Sequence, residues 1–173
     1  MNLSQKGSLL AVVLSACVGC DQVTKRLAIS TLKDMRPRSF LDNTFRLEYA
    51  ENRGAFLGLG ASLPLGERHA LLIVATSLVL GLLAAFVCLR KDLRPLDLAG
   101  YAFILAGGFS NIIDRVLAGA VVDFMNVGIG PFRTGIFNVA DMTIMTGLAC
   151  IVLAHVRSSR AAALAPATAN RRP

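Results

Sequence analysis

The chain has 173 residues, of which 54% are hydrophobic and 17% are charged, whereas soluble domains average about 45–50% apolar and about 25% charged residues. The apolar residues form long blocks flanked by Lys and Arg, so the formal net charge of +7 is typical of membrane topology. No basic run is interleaved with aromatic residues that would stack on bases, which argues against nucleic-acid binding. The composition therefore predicts one polytopic membrane domain.

Four apolar segments are long enough for transmembrane helices, since about 20 residues cross a bilayer. The predicted spans are residues 9–29, 70–89, 98–113 and 137–156. Together they form a single integral-membrane domain over residues 1–156, followed by an Ala-rich tail, 157–173, that we predict to be disordered.

An even number of spans places both chain termini on the same side of the membrane. The turn after the second span contains Arg90, Lys91 and Arg94, and the tail contains four further arginines. Because cytoplasmic segments are enriched in Lys and Arg, we expect both termini in the cytoplasm. Residues 30–68 and 114–136 then lie on the outer side.

The outer segment 30–68 contains a strand-like pattern. Residues 38–41 and 44–49 alternate apolar and polar side chains around Asp42 and Asn43, which predicts an antiparallel β-hairpin. The glycine-rich residues 52–66 predict a loop with a short helix at the membrane interface. The expected fold class is an all-α membrane protein with a small outer β element.

All four cysteines lie in apolar blocks: Cys17, Cys20, Cys88 and Cys150. Buried Cys behaves as a small hydrophobic residue, so we predict no disulfide framework and no metal site, and no motif indicates a cofactor. The segment Leu14–Cys17 also has the form of a lipoprotein processing site. In that alternative the chain is itself a lipoprotein beginning at Cys17, although three apolar blocks downstream argue against it.

Two acids stand at the edges of apolar segments. Asp123 lies in the strand-like run Val121–Met125, and Asp141 opens the fourth span. Two carboxylates that share a site cannot both ionise easily, so one can take a proton from water while the other donates a proton. This pattern favours acid–base hydrolysis. An alternative function is a proton relay in a small four-span transporter. The position of both acids near one face of the membrane argues against this alternative.

Other polar residues have a structural and a functional interpretation. Asn138 and Asp141 are spaced as a helix cap. Asn111 and Arg115 follow Gly107 and Gly108 on one helical stripe, where they could form a packing face or hold substrate carbonyls.

Two further pairs lie outside that stripe. Asp21 and Lys25 are an i, i+4 ion pair, whereas Asn52 and Gly54 are common turn residues.

Five motifs together resemble bacterial lipoprotein signal peptidase, also called signal peptidase II. They cover residues 8–156 in order: Asp21-Gln-Val-Thr-Lys25, Asn52-Arg-Gly-Ala-Phe56, Gly107-Gly-Phe-Ser-Asn111-Ile-Ile-Asp-Arg115, Val121-Val-Asp-Phe124 and Phe137-Asn-Val-Ala-Asp141. Many members have Gly where this chain has Ser110.

The resemblance implies a four-helix inner-membrane aspartic endopeptidase with a small periplasmic β-cradle and a periplasmic helix. It implies a diacylglyceryl-modified prolipoprotein as substrate, cleavage before the modified Cys, a membrane-lipid environment, and inhibition by globomycin. No cofactor is implied, and nothing requires more than a monomer. Motif matching implies a catalytic dyad of Asp123 and Asp141.

The remaining motif positions are matched in the same way. Those that shape the substrate pocket are Asn52, Gly54, Asn111, Arg115 and Asn138. The supporting positions are Asp21, Lys25 and Asp114.

Overall fold

The fold is a bundle of four long helices with a small sheet at one end. The computed structural model describes residues 3–54 and 64–164. Its helices are α1 (Leu3–Leu32), α2 (Leu65–Leu89), α3 (Pro95–Ala118) and α4 (Val139–Leu164). All four are long and apolar enough to cross a membrane, which confirms the four predicted spans.

The end of the last helix differs from the prediction. Helix α4 continues to Leu164, so the prediction of disorder from residue 157 is wrong for the first eight residues of the tail. The apolar Ala-rich sequence after residue 156 favours continued helix, because Ala has the highest helix propensity. Residues 165–173 and the predicted interfacial helix within residues 55–63 lie outside the described residues.

Helix α3 is central and packs against the other three helices. Its contact with α4 is so close that a Cβ atom added to Gly100 would lie 2.8 Å from a backbone oxygen of α4, and one added to Gly107 would lie 2.4 Å from another. Small residues at such positions let helices approach in membranes. At the end opposite the sheet, Lys6 Nζ donates to the Arg90 carbonyl at 2.6 Å, which joins the start of α1 to the end of α2.

The sheet contains four antiparallel strands in sequential order. They are β1 (Arg38–Phe40), β2 (Phe45–Asn52), β3 (Val121–Ile129) and β4 (Phe132–Arg133). The predicted hairpin is therefore present as β1 and β2. Its turn consists of residues 41–44 rather than of Asp42 and Asn43 alone, and Leu41, Asp42 and Asn43 all have positive φ.

The sheet is attached to the end of α1 and the start of α4. Ala28 and Leu32 of α1 form a buried cluster with Val122 and Phe124 of β3. The backbone N–H groups of Phe124 and Met125 both donate to the Phe137 carbonyl, at 3.1 Å and 2.9 Å. This contact holds β3 beside the start of α4, where the two candidate carboxylates lie.

Candidate active site

Asp123 lies on β3 and is buried. Its Oδ1 accepts a hydrogen bond from Asn138 Nδ2 at 2.6 Å, and its Oδ2 accepts one from Asn52 Nδ2 at 3.1 Å. Burial raises the pKa of Asp123 to about 6, and the neighbouring Asp141 carboxylate also raises it, although the two amide donors act in the opposite direction. The environment therefore favours a protonated Asp123 more than an exposed site would.

Asp141 lies in the first turn of α4. Its Oδ1 accepts a hydrogen bond from Asn111 Nδ2 at 3.1 Å, and its Oδ2 accepts the Asn138 backbone N–H at 3.1 Å. Asn138 Oδ1 in turn accepts the Asp141 N–H at 3.0 Å. The helix cap predicted from the sequence is thus present, and it coexists with contacts that join Asp141 to the rest of the site.

Each of the three asparagine side chains at the site has its amide orientation fixed by an unambiguous donor. Asn52 Oδ1 accepts the Gly54 N–H at 3.0 Å, and Asn111 Oδ1 accepts from Lys25 Nζ at 2.8 Å. Asn138 Oδ1 is fixed by the backbone N–H of Asp141. Because an amide oxygen facing a donor turns the NH₂ group away, all three side chains present N–H donors to the two carboxylates.

Lys25 is the centre of a buried ionic cluster. Its Nζ lies 2.6 Å from Asp21 Oδ2, 2.6 Å from Asp114 Oδ2 and 2.8 Å from Asn111 Oδ1. An ammonium group has three N–H donors, so these three acceptors satisfy it completely. The sequence predicted the contact with Asp21, whereas the contact between Lys25 and Asp114 joins α1 to α3 and was not predicted.

Asp21 connects three helices. Its Oδ1 accepts the Ala140 N–H of α4 at 2.8 Å, and its Oδ2 accepts the Ser110 hydroxyl of α3 at 2.7 Å. Gln22 Nε2 donates to Asp114 Oδ1 at 2.7 Å. Gln22 was not predicted as a member of this cluster, although its position next to Asp21 is a local feature that could have indicated it.

Arg115 lies in the last turn of α3, and its side chain is close enough to Asp123 and Asp141 to interact electrostatically with both. Its Nη1 donates to the Asn111 carbonyl at 3.2 Å, but its buried Nε has no acceptor among the residues that the structure describes. His69 Nε2 lies 2.6 Å from the Arg115 carbonyl, so this nitrogen is the protonated one. The sequence offered no partner for His69.

The backbone conformation and the close packing at position 54 require glycine. Its φ is +96°, and a Cβ atom would lie 1.9 Å from Leu72 Cδ1 of α2. The positive φ lets its N–H reach Asn52 Oδ1, so Gly54 acts on the site by orienting Asn52.

The structure therefore brings every predicted site residue into one connected group at the end of the bundle that meets the sheet. Among the described residues, no group of His, Cys, Asp and Glu is arranged to hold a metal ion. Cys17, at which the chain would begin if it were itself a lipoprotein, lies within the uninterrupted helix α1. Four helices that are long and apolar enough to span a membrane, with one buried and one half-buried carboxylate close together where they meet a small sheet, define a polytopic membrane protein with a candidate acid–base site.

Comparison with known proteins gives the family. The chain matches the family described as signal peptidase (SPase) II over residues 13–157, and it belongs to this family of membrane peptidases.

Named relatives agree with this assignment. A lipoprotein signal peptidase of Chlorobium luteolum is 34% identical, covering 87% of this chain and 90% of the relative. That of Geobacter sulfurreducens is 33% identical, covering 87% and 92%.

Solved structures show the same fold. Two structures described as a bacterial membrane enzyme are 26% identical to this chain, with TM-scores of 0.71 and 0.73. They cover 87% and 85% of this chain, and 88% and 92% of their own chains. The resemblance inferred from the five motifs is confirmed.

Proposed function

We propose that this protein is an aspartic endopeptidase that removes signal peptides from prolipoproteins by cleaving before a diacylglyceryl-modified Cys. The observation that carries the proposal is that one residue, Asn138, joins both carboxylates. Its side-chain Nδ2 donates to the Asp123 carboxylate, its backbone N–H donates to the Asp141 carboxylate, and its Oδ1 accepts the Asp141 backbone N–H. A cap alone would account for the contacts with Asp141, but not for the buried Asp123 carboxylate on the side-chain amide.

The proposed reaction uses one water molecule and one proton shared by the dyad. An ionised carboxylate takes a proton from the water as the water oxygen attacks the scissile carbonyl, and the protonated carboxyl group donates its proton to the carbonyl oxygen. As the C–N bond breaks, the carboxyl group that took the water proton donates it to the leaving amine, and a hydroxyl of the tetrahedral intermediate returns a proton to the other carboxylate, which restores the shared proton of the dyad. The raised pKa of Asp123 supports Asp123 as the acid and Asp141 as the base. The two groups titrate as a pair, so kinetic pKa values belong to the dyad.

The substrate is positioned by donors that the protein leaves free. The buried Nε of Arg115 has no acceptor within the described part of the chain, and an unsatisfied buried N–H is costly. A substrate backbone carbonyl would satisfy it. Beside the dyad, Asp141 also borders an apolar depression with Phe137, Met142 and Met145, which suits the acyl chains of a lipid-modified substrate arriving through the bilayer.

The membrane orientation follows from charge. The turn at residues 90–94 contains three basic residues and lies at the end of the bundle opposite the sheet, which favours that end in the cytoplasm. The termini would then be cytoplasmic and the dyad at the periplasmic face of the inner membrane. The proposed partners are prolipoproteins, membrane lipid and the inhibitor globomycin, with no nucleic acid and with a monomer as the active unit.

A cleavage assay with purified protein in detergent tests this proposal. The substrate is a diacylglyceryl-modified prolipoprotein, and the matched control is the same prolipoprotein without the lipid. We expect a gel shift only for the lipidated substrate, and loss of the shift with globomycin. Folded protein that leaves a lipidated substrate intact, when a known signal peptidase II cleaves it, would contradict the proposal.

A further inference from the structure

Ser110 is a fully buried hydroxyl residue within α3. A serine inside a helix commonly turns its hydroxyl back to a carbonyl of its own helix, as Ser159 of α4 does by donating to the His155 carbonyl at 3.1 Å. Ser110 instead donates across the helix interface to Asp21 Oδ2 of α1, at 2.7 Å. Because a hydroxyl has one proton to donate, its whole donor capacity goes to this carboxylate.

The direction of the Ser110 hydroxyl is set by Gln22. Gln22 Nε2 donates to Asp114 Oδ1 at 2.7 Å and to Ser110 Oγ at 3.1 Å. An ionised carboxylate only accepts hydrogen bonds, so the contact with Asp114 identifies this Gln22 atom as the amide nitrogen rather than the oxygen. Since the amide N–H occupies one lone pair of the Ser110 oxygen, the hydroxyl proton points away from Gln22 and toward Asp21.

The Asp21 carboxylate receives one donor from each of three helices. Lys25 of α1 and Ser110 of α3 both bind Oδ2, at 2.6 Å and 2.7 Å, which leaves Oδ1 to accept the Ala140 N–H of α4 at 2.8 Å. Asp21 is 0% exposed, so the stability of its charge depends on these donors. Lys25 belongs to the same helix as Asp21 and moves with it. Ser110 is therefore the donor that fixes the carboxylate directly to α3.

Ala140 is the residue before the proposed base of the dyad. Its N–H belongs to the first turn of α4, where N–H groups have no acceptor within the helix, and a carboxylate there also suits the positive end of the helix dipole. The next N–H along the chain, that of Asp141, is bound by Asn138 Oδ1. The first turn of α4 is thus held by Asn138 from within and by Asp21 from α1. A displacement of the Asp21 carboxylate is transmitted through one peptide unit to Asp141.

We propose that Ser110 is a positioning residue for Asp141 in the cleavage reaction. Its hydroxyl, directed by Gln22, holds the Asp21 carboxylate against the Ala140 N–H. Ser110 does not touch the reacting atoms itself, because it is fully buried and acts through Asp21. Glycine, which many members of the family have at position 110, offers no such donor. The inference rests on the proposed peptidase function, since the group that is positioned is the proposed base.

The amide signal of Ala140 reports on this contact without any catalysis. The chain contains two Val-Ala pairs, Val74–Ala75 and Val139–Ala140. Full-length protein that carries ¹³C at the valine carbonyl and ¹⁵N in alanine therefore gives two signals in a carbonyl-selected amide spectrum. Val74→Ile, at an exposed position of α2, removes the Ala75 signal and so assigns both. Ala75 then serves as the internal reference.

Ser110→Ala removes the hydroxyl and nothing else. We expect the Ala140 amide proton to move upfield and to exchange faster with solvent, while the Ala75 signal stays unchanged. Ser159→Ala is the matched control, because it makes the same change at the far end of α4 and should move neither signal. Gln22→Leu leaves the hydroxyl in place but removes the donor that directs it, so it should move the Ala140 signal in the same direction by less. An Ala140 signal that stays unmoved in Ser110→Ala would overturn the inference.

The kinetic readout separates positioning from folding. At a temperature at which thermal unfolding shows every variant folded, Ser110→Ala should lower kcat about tenfold, since small misplacements of reacting groups have large effects on rate. KM should stay unchanged because Ser110 does not face the substrate, and Ser159→Ala should cleave as wild type does. A kcat within about twofold of wild type, despite a shifted Ala140 signal, would also overturn the inference. Wild type that leaves a lipidated prolipoprotein intact contradicts the proposed function, whereas the Ala140 signal decides independently whether Ser110 holds the start of α4.

Discussion

Asn138 and Asp141 each bind the other's backbone amide at the start of α4, at 3.0 Å and 3.1 Å. This reciprocal pair is a capping box, in which an N-cap residue and the residue three positions later satisfy each other's N–H groups. Its consequence is that the carboxylate proposed to act on water is positioned by helix formation itself. The remaining Asp141 oxygen and the Asn138 amide N–H are free to build the site.

Two substitutions at Asn138 separate its cap from its contact with Asp123. Asn138→Ala removes both and should lower the free energy of unfolding by about 1 kcal/mol. Asn138→Ser keeps a capping oxygen but cannot donate to Asp123, so it should recover most of that stability while kcat stays about 10²–10³-fold low, as for other lost active-site donors. Chemical unfolding and cleavage kinetics check this. A serine variant with near wild-type kcat would show that the Asp123 contact has no catalytic role.

Asn52→Ala should shift the pH dependence of cleavage upward. Asn52 Nδ2 donates to Asp123 and lowers its pKa, which burial raises from 3.8 to about 6. Without this donor the pKa rises further, so the dyad keeps its shared proton to higher pH, and the basic limb of the kcat/KM profile moves up.

The same shift has a consequence for stability. Since the native state binds more protons than the unfolded chain between pH 3.8 and about 6, stability falls as pH rises through that window, and the window widens in Asn52→Ala. Arg53→Ala, next in sequence and paired with Glu51, is the control and should leave the limb unchanged. A downward shift in Asn52→Ala would be inconsistent with the geometry.

Lys25→Met should lower the free energy of unfolding far more than Lys33→Met. Removing the Lys25 ammonium leaves two carboxylates, Asp21 and Asp114, buried without their counter-charge, which costs about 3–5 kcal/mol. Lys33 is exposed and lies 4.0 Å from Glu51, so Lys33→Met should cost less than about 1 kcal/mol. Unfolding in detergent measures both, and equal losses would refute the structural importance of the cluster.

Gly107→Ala should destabilise the protein, whereas Gly81→Ala should not. A Cβ atom on Gly107 would lie 2.4 Å from the Ala140 carbonyl, whereas one on Gly81 has no atom within 4 Å. Overpacking at Gly107 should cost about 1–3 kcal/mol and slow cleavage, because Ala140 precedes Asp141. Gly81→Ala should be neutral or slightly stabilising, since Ala is the better helix former. Thermal unfolding in detergent tests both, and a neutral Gly107→Ala would mean that α3 and α4 can separate at no cost.

The helices, the first hairpin and the cap could be predicted because each depends on local sequence. Apolar length identifies a span, alternation identifies β1 and β2, and the spacing of Asn138 and Asp141 identifies a cap. The five motifs located the site residues through family resemblance rather than through physics.

The partners of Lys25 could not be predicted in this way. The i, i+4 spacing gives Asp21, but Asp114 and Asn111 reach Lys25 only after α1 and α3 pack. The same holds for His69, whose partner is a carbonyl 46 residues away. The register of the whole sheet could not be predicted either, because β3 and β4 come from residues 121–133 and register between distant segments is a tertiary property.

Cleavage by Asp123→Asn and Asp141→Asn tests the central claim most directly. Each variant is compared with wild type and with Asp97→Asn, which makes the same change in the first turn of α3 at the opposite end of the bundle. With thermal unfolding showing that all are folded, we predict that each dyad variant loses about 10²–10⁴-fold in kcat/KM on a lipidated prolipoprotein, whereas Asp97→Asn cleaves normally. Near wild-type cleavage by either dyad variant would contradict the assignment of Asp123 and Asp141 as the pair that activates water.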